Sequence, residues 1–527
     1  MYLRKVSRHN TDGTSVSYLQ IAENVWDKNK RRSRVHVICT LGRADDRAID
    51  RLRQLVRSIR RQSPEYGMGM EEGWKFEDSW EHGAFYVVGK IGENLGIGKI
   101  IEAKDRTAPL ERAVFAMVAN RCLAPRSKLG CYERWMREDV YFPEGQNIRL
   151  HHLYRAMDFL ADQKAAIEEA LYWHLADLLS MDVDLVFYDT TSIHFEVERE
   201  EGLLFRGYAK GRSMDSPQVV VGMAVTRDGY PVKSWTFPGN RTDVTTIEEV
   251  KADLRGWRLN RCIFVTDAGM VSEENLACLR RGGGRYIVAM PCRKGTEVVT
   301  EVLSHPGRYE KVRDNLEVKE VRVSDRRYVV CYNPQEAERQ KKHREEVLEE
   351  LREELRSLRS HPKRACQLLS SRRYGPYLRR LRNGELRLSR MSIREKEKRD
   401  GLWVIHTNDE TLSAEDLALA YKQLVRVEEA WKTMKSTIEI RPVFHRTEDR
   451  IKAHVFLCVL ALLVERVAER ACALTWPRIQ EELRSIKIAQ LLTPNGTVYQ
   501  TTPGSVDARN ILNKLKIDPL PEILLVA

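Results

Sequence analysis

Residues 184–192 read DLVFYDTTS, and this stretch decides the fold because an unbroken apolar run ends at an acidic residue. A continuous apolar run of this length, bounded by polar residues, is typical of a buried strand. We therefore predict a strand over Asp184–Tyr188 that ends at Asp189.

Strands and helices alternate on the C-terminal side of this stretch. The predicted elements are, in order, the strands Gln218–Thr226 and Pro231–Phe237, the helix Thr245–Trp257, the strand Cys262–Thr266, the helix Ser272–Arg281 and the strand Tyr286–Met290. The pair Asp228-Gly229 separates the first two of these strands and favours a hairpin. The order β-β-β-α-β-α-β predicts an α/β (mixed α+β) fold of the ribonuclease-H-like type, with a mixed five-stranded sheet whose first strand is central.

Acidic residues follow two of the predicted strands. Asp189 ends the first strand and Asp267 ends the fourth. A further strand is predicted at Leu402–Thr407, and Ala414–Met434 is predicted to form one long helix. That helix carries polar residues at intervals of seven, namely Tyr421, Glu428 and Lys435. Seven residues are about two helical turns, so we expect all three side chains to project from nearly one face.

Three carboxylates that converge on one point favour metal-assisted chemistry. In a ribonuclease-H-like domain we expect Asp189, Asp267 and Glu428 to meet, and Mg²⁺ prefers carboxylate oxygens while keeping water and phosphate oxygens as its other ligands. Three acids suffice for two ions acting on the attacking and leaving oxygens of a phosphodiester. The alternative is structural: the aspartates cap turns, and Glu428 pairs with Arg426 or Lys432.

The segment 293–400 interrupts the alternating pattern and is rich in charge. Gln335–Ser360 is predicted to be an amphipathic surface helix or a short coiled coil, with apolar residues at Val347, Leu348, Leu351, Leu355 and Leu358. Lys363–Asp400 contains thirteen Lys or Arg residues and four Asp or Glu residues, interleaved with Tyr374 and Tyr377. Such a segment is expected to follow phosphates, the alternative being a solvated basic face. The arginines proposed as DNA contacts are Arg372, Arg373, Arg379 and Arg380.

Composition and charge narrow the class of partner. The 527 residues carry a formal net charge of +12, which favours a polyanion, most often nucleic acid. The longest strongly apolar run, Val455–Val464, is half the length of a bilayer span, and the N-terminus has no apolar signal core. We therefore expect a cytoplasmic, nucleoid-associated protein with no membrane partner and no small-molecule substrate. Ten scattered cysteines form no CxxC pair, which disfavours a zinc module or a disulfide framework and indicates reduced, mostly buried thiols.

Two further regions flank the predicted catalytic domain. Strands predicted at Ser15–Ala22 and Arg34–Leu41, separated by the basic turn Lys28–Arg34, form a hairpin that leads into a helix. Two helices within Leu110–Trp135, broken at Ala124–Pro125, form either a helix-turn-helix or an ordinary helical hairpin. The predicted regions are 1–60, β-rich and DNA-binding; 61–180, helical and DNA-binding; 181–292, first part of the catalytic domain; 293–400, an insertion domain; 401–480, second part of the catalytic domain; and 481–527, a C-terminal tail.

Three sequence blocks carry a family resemblance. The texts VFYDTTS around Asp189, VTDAGM around Asp267 and YKQLVRVEEAWKTMKS from Tyr421 to Ser436 resemble the catalytic blocks of bacterial DDE insertion-sequence transposases. The branch they resemble is the IS-four-type group, in its long-insertion subgroup, whose third block runs Tyr, two residues, Arg, three residues, Glu, six residues, Lys. In this sequence the Arg position holds Leu424, and the nearest arginine is Arg426.

The resemblance implies a function and a role for each matched residue. It implies an enzyme that binds terminal inverted repeats, pairs two ends as a homodimer in a synaptic complex, cuts DNA and joins the 3′ ends to target DNA. Asp189, Asp267 and Glu428 would hold two Mg²⁺ ions per active site, with Mn²⁺ able to substitute. Tyr421 and Lys435 would contact phosphates of the end DNA, Arg426 partly replacing the missing arginine.

Two other functions remain open on the sequence. A structure-selective nuclease on the same scaffold would hydrolyse DNA without joining it. A domesticated DNA-binding protein would have lost catalysis, although all three acids are present here. Inverted repeats and short target duplications beside the gene would favour the transposase.

Overall fold

The structure is a computed structural model that describes most of the chain. The described residues are 2–9, 15–27, 32–43, 75–107, 109–178, 184–207, 216–257, 262–292, 296, 298–357, 364–494 and 496–526. They form two compact units. One unit comprises Met1–Trp80, Lys487–Thr502 and Leu520–Ala527, and the other comprises Glu81–Ile486 and Pro503–Pro519.

The strands and helices are numbered in chain order. The strands are β1 (Tyr2–His9), β2 (Ser15–Asp27), β3 (Arg32–Arg43), β4 (Lys75–Glu81), β5 (Leu185–His194), β6 (Gln218–Thr226), β7 (Pro231–Pro238), β8 (Ile263–Thr266), β9 (Arg285–Met290), β10 (Glu310–Arg313), β11 (Leu316–Val323), β12 (Arg326–Tyr332), β13 (Leu378–Arg380), β14 (Leu386–Leu388), β15 (Leu402–Thr407), β16 (Lys487–Thr493), β17 (Gly496–Thr501) and β18 (Ile523–Val526). The α-helices are α1 (Gly83–Asn94), α2 (Ile97–Lys104), α3 (Leu110–Leu123), α4 (Lys128–Gly130), α5 (Leu150–Leu178), α6 (Ile247–Gly256), α7 (Glu273–Arg280), α8 (Pro334–Ser357), α9 (Arg364–Ser370), α10 (Arg390–Glu397), α11 (Ala414–Lys422), α12 (Val425–Ser436), α13 (Glu448–Cys472), α14 (Trp476–Leu483) and α15 (Val506–Lys514).

The smaller unit contains two antiparallel sheets. One sheet has the order β1-β2-β3, which confirms the predicted pair of N-terminal strands and extends both of them. The other sheet has the order β18-β17-β16-β4, so the segment expected to be a C-terminal tail supplies three strands. Residues 28–31 of the predicted basic turn and the helix expected after the hairpin lie outside the described residues.

The larger unit is built on a mixed sheet of nine strands. Its order is β10-β11-β12-β15-β9-β8-β5-β6-β7, in which β5, β8 and β9 run parallel and the other neighbours antiparallel. The predicted order of strands and helices from β5 to β9 is confirmed, and β5 lies inside the sheet between β6 and β8. The expected count of five strands is wrong. Part of the predicted insertion forms β10, β11 and β12, which join the sheet through β15.

The core of this sheet is aromatic and aliphatic. Helices α6 and α7 cover one face, where Ile247 and Leu276 pack in a buried cluster with Tyr188 and Phe264. On α7 the Ser272 hydroxyl accepts the backbone N–H of Asn275, which caps the helix at the residue where it was predicted to start. Burying one such side chain contributes about 1.5–3 kcal/mol to the stability of the fold. This packed layer therefore helps to hold β5 and β8, including the ends of both strands, in place.

Two predicted boundaries near the acidic residues are wrong. Strand β5 does not end at Asp189 but continues to His194, because β6 pairs with it along its whole length while β8 pairs only as far as Tyr188. The single helix expected over Ala414–Met434 is two helices, α11 and α12. Backbone N–H groups of Gln423 and Leu424 bond to carbonyls three residues back, which tightens the chain and ends the α-helical pattern there.

The charged helix is confirmed as α8, but it is not a free coiled coil. Its apolar residues Val347, Leu348 and Leu351 are buried in a small core with α9 and the two-stranded sheet β13-β14. Tyr377 is buried in the same core, and the hydroxyl of Tyr374 donates to Glu350. These side chains therefore stabilise the insertion, and residue Leu358 lies outside the described part of the chain.

Helices dominate the region before β5. Helix α3 ends at Leu123, as the predicted break requires, and a π-helix at Cys131–Asp139 follows α4. Helix α13 is apolar on most sides and packs against α3 and α5. No helix in the described residues is long and apolar enough to cross a membrane. Among the nine cysteines whose side chains are described, none is in a disulfide and seven are buried.

Candidate active site

Neighbouring parallel strands place two aspartates side by side. Tyr188 of β5 is paired in register with Thr266 of β8, so Asp189 and Asp267 are the next residues on adjacent strands. Adjacent strands lie about 4.8 Å apart. Asp189 is half-buried and Asp267 is exposed, so their carboxylates can be reached from solvent.

Helices α11 and α12 bring a tyrosine and a glutamate to the same place. The Tyr421 hydroxyl donates a hydrogen bond to Asp267 Oδ1 at 3.2 Å. The pKa of Tyr421 is raised, first by burial and then by the negative charges of Asp267, Glu428 and Asp189. The Tyr421 hydroxyl therefore contacts Asp267 and feels the negative charge of the other two carboxylates, so it stays protonated and keeps donating.

A cleft of about 1010 Å³ opens beside these residues. Asp189 and Glu428 line it, as does Gly269, two residues after Asp267. The other lining residues are Thr190, Thr191, Ser192, His194, Val220, Asn240, Arg241, Thr242, Asp243, Val244, Trp431, Lys432, Lys435, Ser436 and Arg441. Acidic groups and several cations thus share one solvent-filled space.

The cations of the cleft come from separate elements. Lys435 Nζ donates to Thr191 Oγ1 at 2.6 Å, which ties the end of α12 to β5. Arg241 lies between β7 and α6 and bonds to Thr245 and Glu249. Sequence reasoning missed Arg241, Lys432 and Arg441 as cleft residues, although the spacing of Lys432, one helical turn after Glu428, was a usable signal.

A third acid, Asp243, lines the cleft together with Asp189 and Glu428. The Oδ1 atom of Asp243 accepts the Thr190 hydroxyl at 2.5 Å. Thr190 directly follows Asp189 on β5. The hydrogen bond therefore fixes the strand at the residue beside the aspartate, and no feature of the local sequence predicts it.

The donor set has the chemistry that a hard divalent cation needs. Asp189, Asp267 and Glu428 offer only oxygen ligands, and the last two are exposed. Within the described residues, no three Asp, Glu, His or Cys side chains are close enough to hold one ion together as they stand. The residues fit a metal by type and location, and the three carboxylates must draw closer to share it.

The remaining predicted contact residues lie away from the cleft lining. Arg426 Nη1 pairs with Glu429 at 3.0 Å on the same helix. Arg373 pairs with Glu350 of α8, and Arg379 and Arg380 are exposed on β13. Arg372 is exposed as well. The structure thus brings Asp189, Asp267, Tyr421, Glu428 and Lys435 together, and places the five arginines elsewhere.

Two protein-family models match separate parts of this chain. The family described as "Transposase DDE domain" matches residues 184–464, just over half of the chain, and the family described as "IS1634 family transposase, N-terminal domain" matches residues 3–72. No curated protein gives a significant match. A cryo-EM structure of a piggyBac transposase synaptic complex with hairpin DNA covers 77% of this chain and 78% of that chain, at 8% identity. Its TM-score of 0.35 is too low to establish a common fold.

Proposed function

This chain belongs to the DDE-domain transposases, and from that premise we propose that it binds the terminal inverted repeats of an insertion sequence, cleaves DNA at their ends and joins the 3′ ends to target DNA. The enzyme is a metal-dependent DNA transposase with a mixed α/β fold that fits the ribonuclease-H-like type. Its catalytic residues in this proposal are Asp189, Asp267 and Glu428.

One observation supports this assignment most. Asp189 and Asp267 each come directly after one member of a paired set of residues, Tyr188 and Thr266, on adjacent parallel strands. The negative charges of Asp189, Asp267 and Glu428 all raise the pKa of Tyr421. A structural role as turn caps would not require a glutamate from a distant helix at the same point. Negative charge gathered in a cleft is costly unless cations offset it there.

We propose two Mg²⁺ ions as the cofactor, with Mn²⁺ able to substitute, since DDE transposases use divalent metals. When bound, such ions supply activation of the attacking oxygen and stabilisation of the leaving oxygen. The protein's own groups orient the reaction. Tyr421 holds the Asp267 carboxylate through its hydroxyl, and Lys435 presents an ammonium charge next to β5 for a phosphate of the end DNA.

The basic segment, residues 364–400, has a separate role in this proposal. Arg372, Arg373, Arg379 and Arg380 contact DNA phosphates away from the cleft, and Arg426 stabilises α12 through Glu429 while its charge adds to the local field. Exposed arginines of this kind bind the backbone without reading sequence. We also propose a homodimer on DNA, because pairing two ends requires two sites.

Two sequence features bear on the transposase subgroup to which this chain belongs. The N-terminal match is to the IS1634 family, so assignment of the whole chain to the IS-four-type group is not confirmed. We retain the IS-four-type resemblance only as a proposal about the third block, where Tyr421, Glu428 and Lys435 keep that group's spacing.

The test is cleavage and joining on a labelled duplex that carries the gene's own flanking end. Wild type is compared with Asp267→Asn and with Asp314→Asn, a matched change at an aspartate 92% exposed on the β10–β11 turn. We expect Mg²⁺-dependent nicking and joined product from wild type and Asp314→Asn, and neither from Asp267→Asn. Cutting without joining would favour the nuclease. Specific binding without cutting by any of the three proteins would favour a silent DNA-binding protein.

A further inference from the structure

An exposed aromatic side chain lies on the loop that leaves the candidate active site. Residues 437–447 connect α12, which carries Glu428, to the buried helix α13. Phe444 is 62% exposed on this loop. Isolated exposed apolar residues are common on protein surfaces, so the surroundings of Phe444 decide whether it has a role.

The base of the loop is fixed by buried polar side chains. Arg121, 3% exposed, donates from Nη1 to the Glu439 carbonyl at 3.1 Å. His454, 1% exposed, has Nε2 at 2.9 Å from the Ile440 carbonyl. The Ile440 N–H in turn donates to the Met434 carbonyl at 2.8 Å. The backbone before Phe444 is therefore attached to α3, α12 and α13.

The residue after Phe444 is fixed as well. The His445 ring lies against Tyr154 of α5 and His454 of α13, with ring centroids 6.3 Å and 5.9 Å apart. Arg450 covers the Tyr154 ring and pairs with Asp158. Because the backbone at Ile440 and the ring of His445 are both held by buried neighbours, the loop is anchored on each side of the exposed Phe444.

Two arginines flank Phe444 in the loop sequence, and two lysines line the cleft beside the loop. Arg441 lines the cleft, and three residues of chain span at most about 11 Å, so Phe444 lies near the cleft edge. Arg446 is exposed on the other side of Phe444, and Lys432 and Lys435 line the cleft itself. An aromatic face among cations is the pairing that binds single or unstacked nucleotides, where charges hold phosphates and the ring stacks on a base.

We propose that Phe444 stacks on a base of the bound end DNA at the edge of the cleft, while Arg441 and Arg446 hold the adjacent phosphates. This inference rests on the proposed function, because it takes DNA as the substrate of the neighbouring cleft. Arg441 and Arg446 outnumber the exposed Glu439 in the loop, and together with Lys432 and Lys435 of the adjoining cleft they favour a polyanion as the occupant of this surface. The ring adds a base-stacking contact that tolerates any base, so it orients the DNA end without reading its sequence.

The experiment uses the full chain and the end duplex, without divalent metal, with 2-aminopurine placed in turn at each base near the cleavage position. Wild type is compared with Phe444→Leu, Phe444→Trp and Trp173→Leu, the last removing a 43% exposed aromatic elsewhere. We expect one 2-aminopurine position to change fluorescence on binding. Phe444→Leu should lose that change and bind about 5- to 100-fold more weakly. Phe444→Trp and Trp173→Leu should behave like wild type.

The outcomes separate this inference from the proposed function. Wild type that binds the end duplex and cuts it in an Asp267-dependent way, with Phe444→Leu equal to wild type in both affinity and fluorescence, would overturn the stacking contact alone. Wild type that neither binds nor cuts the end duplex would overturn both. Equal weakening by Trp173→Leu would assign the effect to general loss of surface aromatics and would also overturn the proposal.

Discussion

The cleft beside β5 and the basic segment 364–400 both carry many cations, yet the chain holds those cations differently. In the cleft, Lys432 and Lys435 of α12 and Arg441 of the loop after it share one space with carboxylates. In the basic segment, arginines pair with local acids, as Arg373 does with Glu350 and Arg387 does with Glu385. A high density of charged residues in the sequence therefore identifies an exposed surface. The position of the candidate active site is instead determined by strand register and helix placement.

The same contrast extends to the acids. Asp400 of the basic segment accepts two hydrogen bonds from buried Arg344, at 2.7 and 2.6 Å, and so stabilises the insertion. Asp267 and Glu428 are exposed, and the negative charges of both raise the pKa of Tyr421. Within the described part of the chain, no buried arginine offsets them as Arg344 offsets Asp400. We therefore expect changes in the cleft to affect rate, and changes in the basic segment to affect affinity.

The largest effect should follow from Glu428→Gln. The substitution removes one carboxylate charge and keeps the size of the side chain, so we expect the rate of end cleavage to fall at least about 1000-fold. Duplex binding, measured by fluorescence anisotropy, should change less than about threefold. Glu415→Gln, at an exposed glutamate in the first turn of α11, is the matched control and should keep the wild-type rate. A rate near wild type in Glu428→Gln would remove this residue from the site.

Lys435→Ala should have the next largest effect. Loss of the ammonium beside Thr191 removes a phosphate contact, and we expect the single-turnover cleavage rate at saturating DNA to fall about 30-fold. The salt dependence of binding should also weaken by about one counterion. An unchanged rate with weakened binding would place Lys435 with the basic segment rather than with the cleft.

Tyr421→Phe should slow cleavage about 10-fold by removing the hydrogen bond to Asp267. The pKa of Tyr421 is raised above the value of a free tyrosine, which is about 10. The hydroxyl therefore stays protonated at every pH below about 10 and loses its proton only at higher pH. The factor between the two proteins should therefore be constant from pH 7 to about pH 9.5. Tyr374→Phe, which removes the bond to Glu350, serves as the control. If the cleavage rates of wild type and Tyr421→Phe became equal below pH 9, the assignment of a protonated Tyr421 hydroxyl would be contradicted.

The smallest effect is expected from the double change Arg379→Ala and Arg380→Ala. Both side chains are exposed on β13, so we expect binding to weaken about fivefold on specific and random duplexes alike. The cleavage rate at saturating DNA should stay within about twofold of wild type. A loss confined to the end sequence would show that the basic segment reads bases, and would break the distinction drawn between the two regions.

The central strands were predictable because their signal is local. Runs such as Cys262–Thr266 and Tyr286–Met290 are apolar without interruption, as strands covered on both faces must be. The strands β10, β11 and β12 at one edge of the sheet were not predicted; β11, for example, reads LEVKEVRV and alternates charged with apolar residues. That pattern fits a half-exposed strand as well as a surface segment, so the nine-stranded sheet could not be counted from the sequence.

The candidate site was predictable only where strand order determines it. Asp189 and Asp267 follow runs that become neighbouring parallel strands, and a seven-residue spacing brings Tyr421, Glu428 and Lys435 to one face despite the break after Lys422. The break itself has no glycine or proline to announce it. Arg241 and Asp243 come from a loop whose placement depends on the whole sheet, and so required the structure.

Exchange of a single ligand atom tests most directly whether these carboxylates form one metal-dependent active site. The measurement is strand joining by Asp189→Cys in Mg²⁺ and in Mn²⁺, because a thiolate is a poor ligand for Mg²⁺ and a better one for Mn²⁺. We predict no joining in Mg²⁺, partial joining in Mn²⁺, and wild-type joining in both metals by the control Asp314→Cys. Joining by Asp189→Cys in Mg²⁺ at the wild-type rate would contradict the account.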